Sequence, residues 1–297
     1  MIRVHEVAAR DGLQNEKTVL STETKLELLE LLAASRPDSL EITSFVRPDL
    51  VPQLADAKEL CRRLRDVPWR KDLPLVGLVM NMRGYESFRE SGLDAITAVI
   101  GAHEGFSKAN SGMTIEKAVA VNQEIAAAAK ADGFPIRMYL SMAFGSPQDG
   151  DTDLLTVLDL VAASMDMGVE RVLLSDTVGV GRVDQVETLV HAALDMMSAE
   201  QVGMHMHDTY GRALENCSLG MDLGVRMFDA SAGGTGGCPF APGAAGNLAT
   251  GALLALARER GLAPDMDGAA LDSATKLLSV QLGRTLAMGE AAGPTAK

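Results

Sequence analysis

Two histidines stand one residue apart in the run Val202-Gly-Met-His-Met-His-Asp-Thr-Tyr-Gly211, out of 5 in the chain. Side chains on a β-strand alternate between faces, so residues two apart point the same way. On a strand, His205 and His207 would share a face with Gly203, while Val202, Met204 and Met206 would share the other. The apolar face suits packing against helices. The imidazole face offers two neutral nitrogen donors, the start of a divalent metal site. The competing reading is a satisfied core histidine beside a strand-end histidine, because His is often partly buried. The two readings differ in whether the rest of the chain brings oxygen ligands to the same place.

Other reactive groups follow short apolar runs, and each has two readings. Asp11 is either an anionic ligand or a turn residue before Gly12, since Asp-Gly is a common turn pair. Arg10 either grips a thioester carbonyl or carboxylate through its guanidinium fork, or forms a structural ion pair, for instance with Glu41. Glu41 projects inward by strand parity, with Leu40 and Ile42 facing the other way. A carboxylate there must be paired or its pKa rises, and holding Arg10 in place is the favoured reading over moving protons. Asp176, after a Leu-Leu-Ser run, is a helix N-cap or an active-site acid or base. Cys238 stands in the glycine-rich run from Gly233 to Gly243. Such a run reads as a mobile lid whose thiol could give or take a proton, against a small hydrophobe packed under the loop. Asn247 offers an amide oxygen to a metal or an N-cap to the next helix. Two imidazoles, one carboxylate and one amide oxygen would form a mixed nitrogen and oxygen shell. Mg²⁺ or Mn²⁺ suits it, with Zn²⁺ as the competitor.

These residues need a scaffold that brings them together. Strand-like runs occur at 4–7, 39–43, 75–80, 95–100, 136–142, 171–175, 202–207 and 226–231. Helical patterns lie between or after them at 22–34, 51–64, 84–91, 114–131, 153–167, 184–198, 210–223 and 248–260. Eight β-then-α units are what a TIM (β/α)8 barrel requires. Ser21, Thr22, Thr152 and Asp153 stand where helices should start, and Gly168, Gly224 and Gly261 where helices should stop. A doubly wound open sheet would want a glycine fingerprint after the first strand, and the sequence there is Ala-Ala-Arg-Asp-Gly-Leu-Gln. No Pro- or Ser-rich linker divides the chain, so one domain spans 1–297, with the barrel ending near 262 and a helical extension from about 263. In such barrels the active site lies at the strands' C-terminal ends. Arg10, Asp11, Glu41, Thr43, Asn81, Asp176, His205, His207, Cys238 and Asn247 all map to that rim. The opposite rim, at the strand starts, is expected to hold few such groups.

Composition narrows the ligand. The net charge of −13 argues against nucleic acid and anionic membranes as partners, and an anionic ligand would need a local basic patch. Three scattered cysteines without a CxxC pair argue against a disulfide framework or structural zinc. The glycine-rich run lacks the Lys-Ser/Thr end of a phosphate-cradling P-loop. No targeting segment or bilayer-length apolar run is read, so the expected location is cytoplasmic.

Several stretches then carry a family likeness. They are Ala9-Arg-Asp-Gly-Leu-Gln-Asn-Glu-Lys17, Glu41-Ile-Thr-Ser-Phe-Val46, Ser175-Asp-Thr-Val-Gly-Val-Gly181, His205-Met-His-Asp-Thr-Tyr-Gly211 and Gly236-Gly-Cys-Pro-Phe-Ala-Pro-Gly-Ala-Ala-Gly-Asn-Leu-Ala-Thr250. Over nearly its whole length the chain resembles the 3-hydroxy-3-methylglutaryl-CoA lyases of the DRE-TIM metallolyase group. The resemblance implies Asp11, His205, His207 and Asn247 as metal ligands, which reverses the local readings of Asp11 and Asn247. It implies Arg10 as the partner of a thioester enolate, Cys238 as a loop-borne proton donor, and Glu41 and Asp176 as active-site carboxylates. It implies an acyl-CoA substrate and a retro-Claisen cleavage; a small homo-oligomer is the expected assembly. The base for the hydroxyl proton stays open among Asp11, His205, Asp176 and water. The chain departs from the family pattern at Ser141-Met-Ala-Phe-Gly-Ser146 and at His103-Glu-Gly-Phe-Ser-Lys-Ala-Asn-Ser-Gly112, near where the acyl group and CoA are expected. The alternatives are therefore a lyase for citramalyl-CoA or a longer isoprenoid-derived ester, and more distantly a Claisen-type condensing relative.

Overall fold

The computed structural model describes residues 1–146, 150–237 and 246–288. Eight parallel strands pair in chain order and close on themselves: β1 (Arg3–Glu6), β2 (Ser39–Ser44), β3 (Leu75–Leu78), β4 (Ala95–Gly101), β5 (Ile136–Ser141), β6 (Arg171–Asp176), β7 (Val202–Met206) and β8 (Met227–Ala230). All eight expected strands are present, and the fold is a TIM barrel. Most strand residues are buried, because both faces are covered, the inner by the barrel interior and the outer by helices.

The surrounding helices are α1 (Thr22–Ala34), α2 (Ala57–Leu64), α3 (Met82–Arg89), α4 (Glu104–Ser111), α5 (Ile115–Asp132), α6 (Leu154–Asp166), α7 (Val183–Met196), α8 (Ala213–Asp222) and α9 (Thr250–Glu259). Ser21 caps α1 by accepting from Thr24 N at 3.1 Å, and Asp153 caps α6 by accepting from Thr156 N at 3.0 Å. Gly168, Gly224 and Gly261 follow their helices at φ of 72°, 104° and 68°, the left-handed geometry that ends a helix. No helix among the described residues is long and apolar enough to cross a membrane.

Four local features differ from expectation. The helix expected over 51–64 breaks into a 3-10 turn at Pro52–Leu54 followed by α2. There Gln53 O and the Asp56 carboxylate converge on the buried Lys25 ammonium. Helix α4 carries little apolar periodicity and went unforeseen; it ends at Gly112, φ 70°. Asn81 is a cap for α3, accepting from Gly84 N at 2.9 Å, rather than a free rim group. Residues Ala8–Gly12 form one turn of π-helix, not a simple Asp-Gly turn.

The C-terminal extension is α10 (Gly268–Leu282), which packs on α1 and on the turn Ala232–Gly234 after β8. At Gly233, φ 68°, a Cβ would come within 2.9 Å of Thr275 and Leu286 atoms, so only glycine lets the tail close over that turn.

Glu6, at the end of β1, ties three segments together. Its carboxylate accepts from Ala8 N at 2.9 Å, Ala232 N at 2.9 Å and Thr250 Oγ1 at 2.6 Å. These donors belong to the π-turn bearing Asp11, the turn after β8 and the start of α9. Burial pushes the carboxyl up to about 7 even against those donors. A raised folded-state pKa means that the group's contribution to stability is full below its unfolded value and is lost as pH rises through about 7. Glu6→Gln keeps an acceptor for the backbone donors without the buried charge. Its unfolding free energy should gain on the wild type between pH 5 and pH 8, as read by urea denaturation. Glu6→Ala leaves buried donors unmet and should lose on the order of 3 kcal/mol. Equal stability of the alanine variant would show that Glu6 does not hold these segments.

Candidate metal centre

The strands supply the histidines as parity requires. His205 lies in β7, and His207 lies just beyond its end, where its backbone pairs with Asn247 in an isolated bridge. Their ring centroids are 5.2 Å apart. The π-turn after β1 swings Asp11 to the same spot. Asp11 Oδ2 lies 3.9 Å from His205 Nε2 and 3.7 Å from His207 Nε2. One ligand atom from each of the three residues falls within 4.8 Å of the others, a spacing that a single ion can bridge. Imidazole and carboxylate are donors that divalent first-row metals and Mg²⁺ accept, so the residues fit a divalent cation.

Asp11 stays ionised although only 16% of its side chain is exposed. Burial works against its charge, but the Arg10 guanidinium and the two imidazoles outweigh it and hold the carboxyl well below the usual range. Arg10 is fixed from two sides. Its Nη1 donates to Asp11 Oδ1 at 2.6 Å, and its Nε donates to Glu41 Oε2 at 2.7 Å. The Arg10–Glu41 pair expected from parity is therefore present. Glu41 is fully buried, and burial raises its pKa while Arg10 pulls it down. The register of β2 against β3 shifts between Glu41 and Thr43.

Asn247 also reaches the cluster. Its Nδ2 donates to Asp11 Oδ2 at 2.8 Å and to Thr235 O at 3.1 Å. It is not the N-cap of α9, which is Ala249. Asp176 lies elsewhere in the rim. Its oxygens accept from Val180 N at 3.0 Å and Gly181 N at 2.9 Å, which folds the loop after β6. It is no helix N-cap, since α7 begins after Arg182. Burial lifts its carboxyl to about 6. Cys238 lies outside the described residues. The other two cysteines, Cys61 and Cys217, are buried, as their apolar helix faces imply.

Beneath the histidines lies a polar layer that the sequence reading passed over. Asp229 on β8 is in register with His205 on β7 and with His5 on β1. Its Oδ2 is 3.3 Å from His205 Nδ1 and also accepts from Tyr139 Oη. Its Oδ1 is 3.8 Å from Arg137 Nη2. A carboxylate on Nδ1 fixes the imidazole so that Nε2 faces outward, which is how metal-binding histidines are commonly oriented. The available signal was a charged residue at the inward parity of an otherwise apolar strand, Met227-Phe-Asp-Ala230.

The family described as HMGL-like matches residues 1–278. The mitochondrial hydroxymethylglutaryl-CoA lyase of Arabidopsis thaliana is 35% identical over 283 residues, covering 95% of this chain but 60% of the relative. The (R)-citramalyl-CoA lyase of Chloroflexus aurantiacus is 36% identical over 301 residues, 99% of this chain and 95% of the relative. The crystal structure of the HMG-CoA lyase from Brucella melitensis superposes with a TM-score of 0.91 at 39% identity, covering 95% of this chain and 99% of that one.

Metal affinity should depend on both layers. In a competition titration with Mn²⁺ as the probe ion, His207→Ala should abolish tight binding. Asp229→Asn, which removes the charge behind His205, should weaken it about 10–100-fold. Wild-type affinity in both variants would mean that the cluster is not the ion's site.

Proposed function

This chain belongs to the HMGL-like family, and from that we propose that it is a divalent-metal-dependent carbon–carbon lyase cleaving 3-hydroxy-3-methylglutaryl-CoA to acetyl-CoA and acetoacetate. The observation that carries the reading is the convergence of Asp11, His205 and His207 on one point beside the Arg10 guanidinium. The likeness to curated lyases over more than nine-tenths of this chain supports the reaction class.

In the proposed reaction Asp11, His205 and His207 would hold Mg²⁺ or Mn²⁺. Asn247, whose amide lies against Asp11, would join them through its amide oxygen. When bound, the cation acidifies the substrate's 3-hydroxyl and neutralises developing negative charge. Asp11, His205, Asp176 or a water takes the 3-hydroxyl proton, and the alkoxide left behind becomes the ketone as the next bond breaks. The bond between the second and third carbons breaks, and its electron pair moves into the thioester enolate. Arg10, gripped by Glu41 and Asp11, presents a fixed positive charge to that enolate with no reorganisation needed. Cys238 then protonates the enolate carbon to give acetyl-CoA. Asp176 shapes the loop after β6 at the same rim.

A second reading is cleavage of (R)-citramalyl-CoA or a bulkier branched ester. It is favoured by the 36% identity to the (R)-citramalyl-CoA lyase of Chloroflexus aurantiacus, and Phe106, Met142 and Val178 form a small apolar cluster apart from the main core. Phe106 and Met142 belong to the two segments that depart from the family pattern, 103–112 and 141–146.

Mixing the protein, Mg²⁺ and a panel of CoA esters should release acetyl-CoA fastest from 3-hydroxy-3-methylglutaryl-CoA. A higher kcat/KM for another ester would transfer the assignment to that substrate, and no release from any would end the lyase reading. Arg10→Met should lower kcat by at least about 100-fold with little change in CoA-ester affinity. A loss confined to affinity would count against an enolate-facing role. Cys238→Ala should lower kcat by about 100-fold or more while the metal still binds, and unchanged turnover would remove the thiol from the mechanism.

A further inference from the structure

Few charged groups were expected where the strands begin, and the structure differs. A cavity of about 360 Å³ opens at that end of the barrel, opposite Asp11, His205 and His207. Three guanidinium groups line it, those of Arg3, Arg137 and Arg171. Its volume is in the range of small-ligand sites rather than of single buried waters.

The arginines are unequally matched. Arg3 pairs with Glu200, and Arg171 pairs with Glu170 at 2.8 Å. Arg137 has a side chain only 5% exposed, yet its Nε and Nη1 meet no acceptor among the described residues. Its Nη2 has only the Met227 sulfur at 3.5 Å and Asp229 at 3.8 Å. Arg171 Nε is likewise buried without an acceptor. A buried guanidinium with unmet N–H groups is costly, because donors taken from water need replacement partners. The carboxylates around the cavity do not supply them. Asp94 binds Arg70 and Leu75 N, Glu170 faces Arg171, and Asp38 accepts from Val4 N at 2.7 Å. Arg137 and Arg3 also depress the pKa of Arg171, after the larger effect of burial, as expected where positive charges crowd together.

We propose that this cavity is a second ligand site, which takes a small oxyanion, phosphate or a short carboxylate, on Arg137 and Arg171. Asp38, Asp94 and Glu170 line the cavity beside the three arginines, so the anion is held by the unmet N–H groups of Arg137 and Arg171 rather than by an excess of positive charge. Arg137 also faces Asp229, the carboxylate behind His205, so this site and the metal cluster share a charged neighbour.

The test uses the full chain and inorganic phosphate, titrated calorimetrically at constant ionic strength with chloride as the balancing anion. Saturable binding near one phosphate per chain is expected. Arg171→Gln should weaken it about tenfold or more, the usual consequence of losing a charged hydrogen bond, while turnover without phosphate stays at the wild-type value. No saturable binding overturns the proposal. So does binding undiminished in Arg171→Gln, which would put the phosphate elsewhere. Because Arg137 is buried inside the barrel, a crystal of the unaltered chain soaked in phosphate supplies the second measurement. Phosphate density against Arg137 supports the site, and water alone in the cavity sinks it. Competition by acetate separates the two sources: displacement of phosphate assigns the site to carboxylates as well, and no displacement to phosphate alone.

Discussion

A carboxylate that must stay charged while enclosed by protein sets the terms for the rest of this structure. Asp11 sits at the barrel mouth with most of its surface removed from water, which by itself favours the neutral acid. Arg10 reverses that preference from one side and the histidines from the other. Arg10 is itself buried and is held by Glu41 as well as Asp11, so the charges form a chain in which each is compensated. Such a chain is stable only if every member is present, since a lone buried charge is far more costly than a matched one.

That requirement explains why so many elements end at one place. Asp11 comes from the π-turn after β1, Glu41 from β2, His205 and His207 from β7, and Asn247 from the segment before α9. Their positions are held from behind by groups deeper in the fold. Glu6 links the π-turn to the turn after β8 and to α9. Asp229 fixes the His205 ring from the layer below. Helix α10 covers the turn that leads toward the glycine-rich stretch. A barrel suits such chemistry because ligands drawn from distant parts of the chain meet on a rigid rim.

The two ends of the barrel share one interior. The inward side chains of β5 and β8 carry Arg137, Tyr139 and Asp229, a polar stack that runs from the strand-start cavity up to His205. An interior of only Val, Leu and Ile would leave no charged group between the two ends. Here a charged neighbour is common to both.

The sequence determined the barrel, because short apolar runs and longer amphipathic runs alternate eight times and glycines and caps mark the helix ends. It also determined the shared face of His205 and His207 and the inward aim of Glu41, since strand parity is a local rule. The tertiary structure decided what local rules cannot reach. Asp11 read alone is a turn residue, and only barrel closure brings β1 and β7 close enough to join it to the histidines. Asp176 read as an acid or base or a helix cap; the cap reading fails because α7 begins after Arg182, and its oxygens accept from the loop amides of Val180 and Gly181. Asp229 and Arg137 were invisible as partners because 90 or so residues separate β5 from β8 in the chain. A pairing across that distance follows from strand register, which exists only once the sheet has closed.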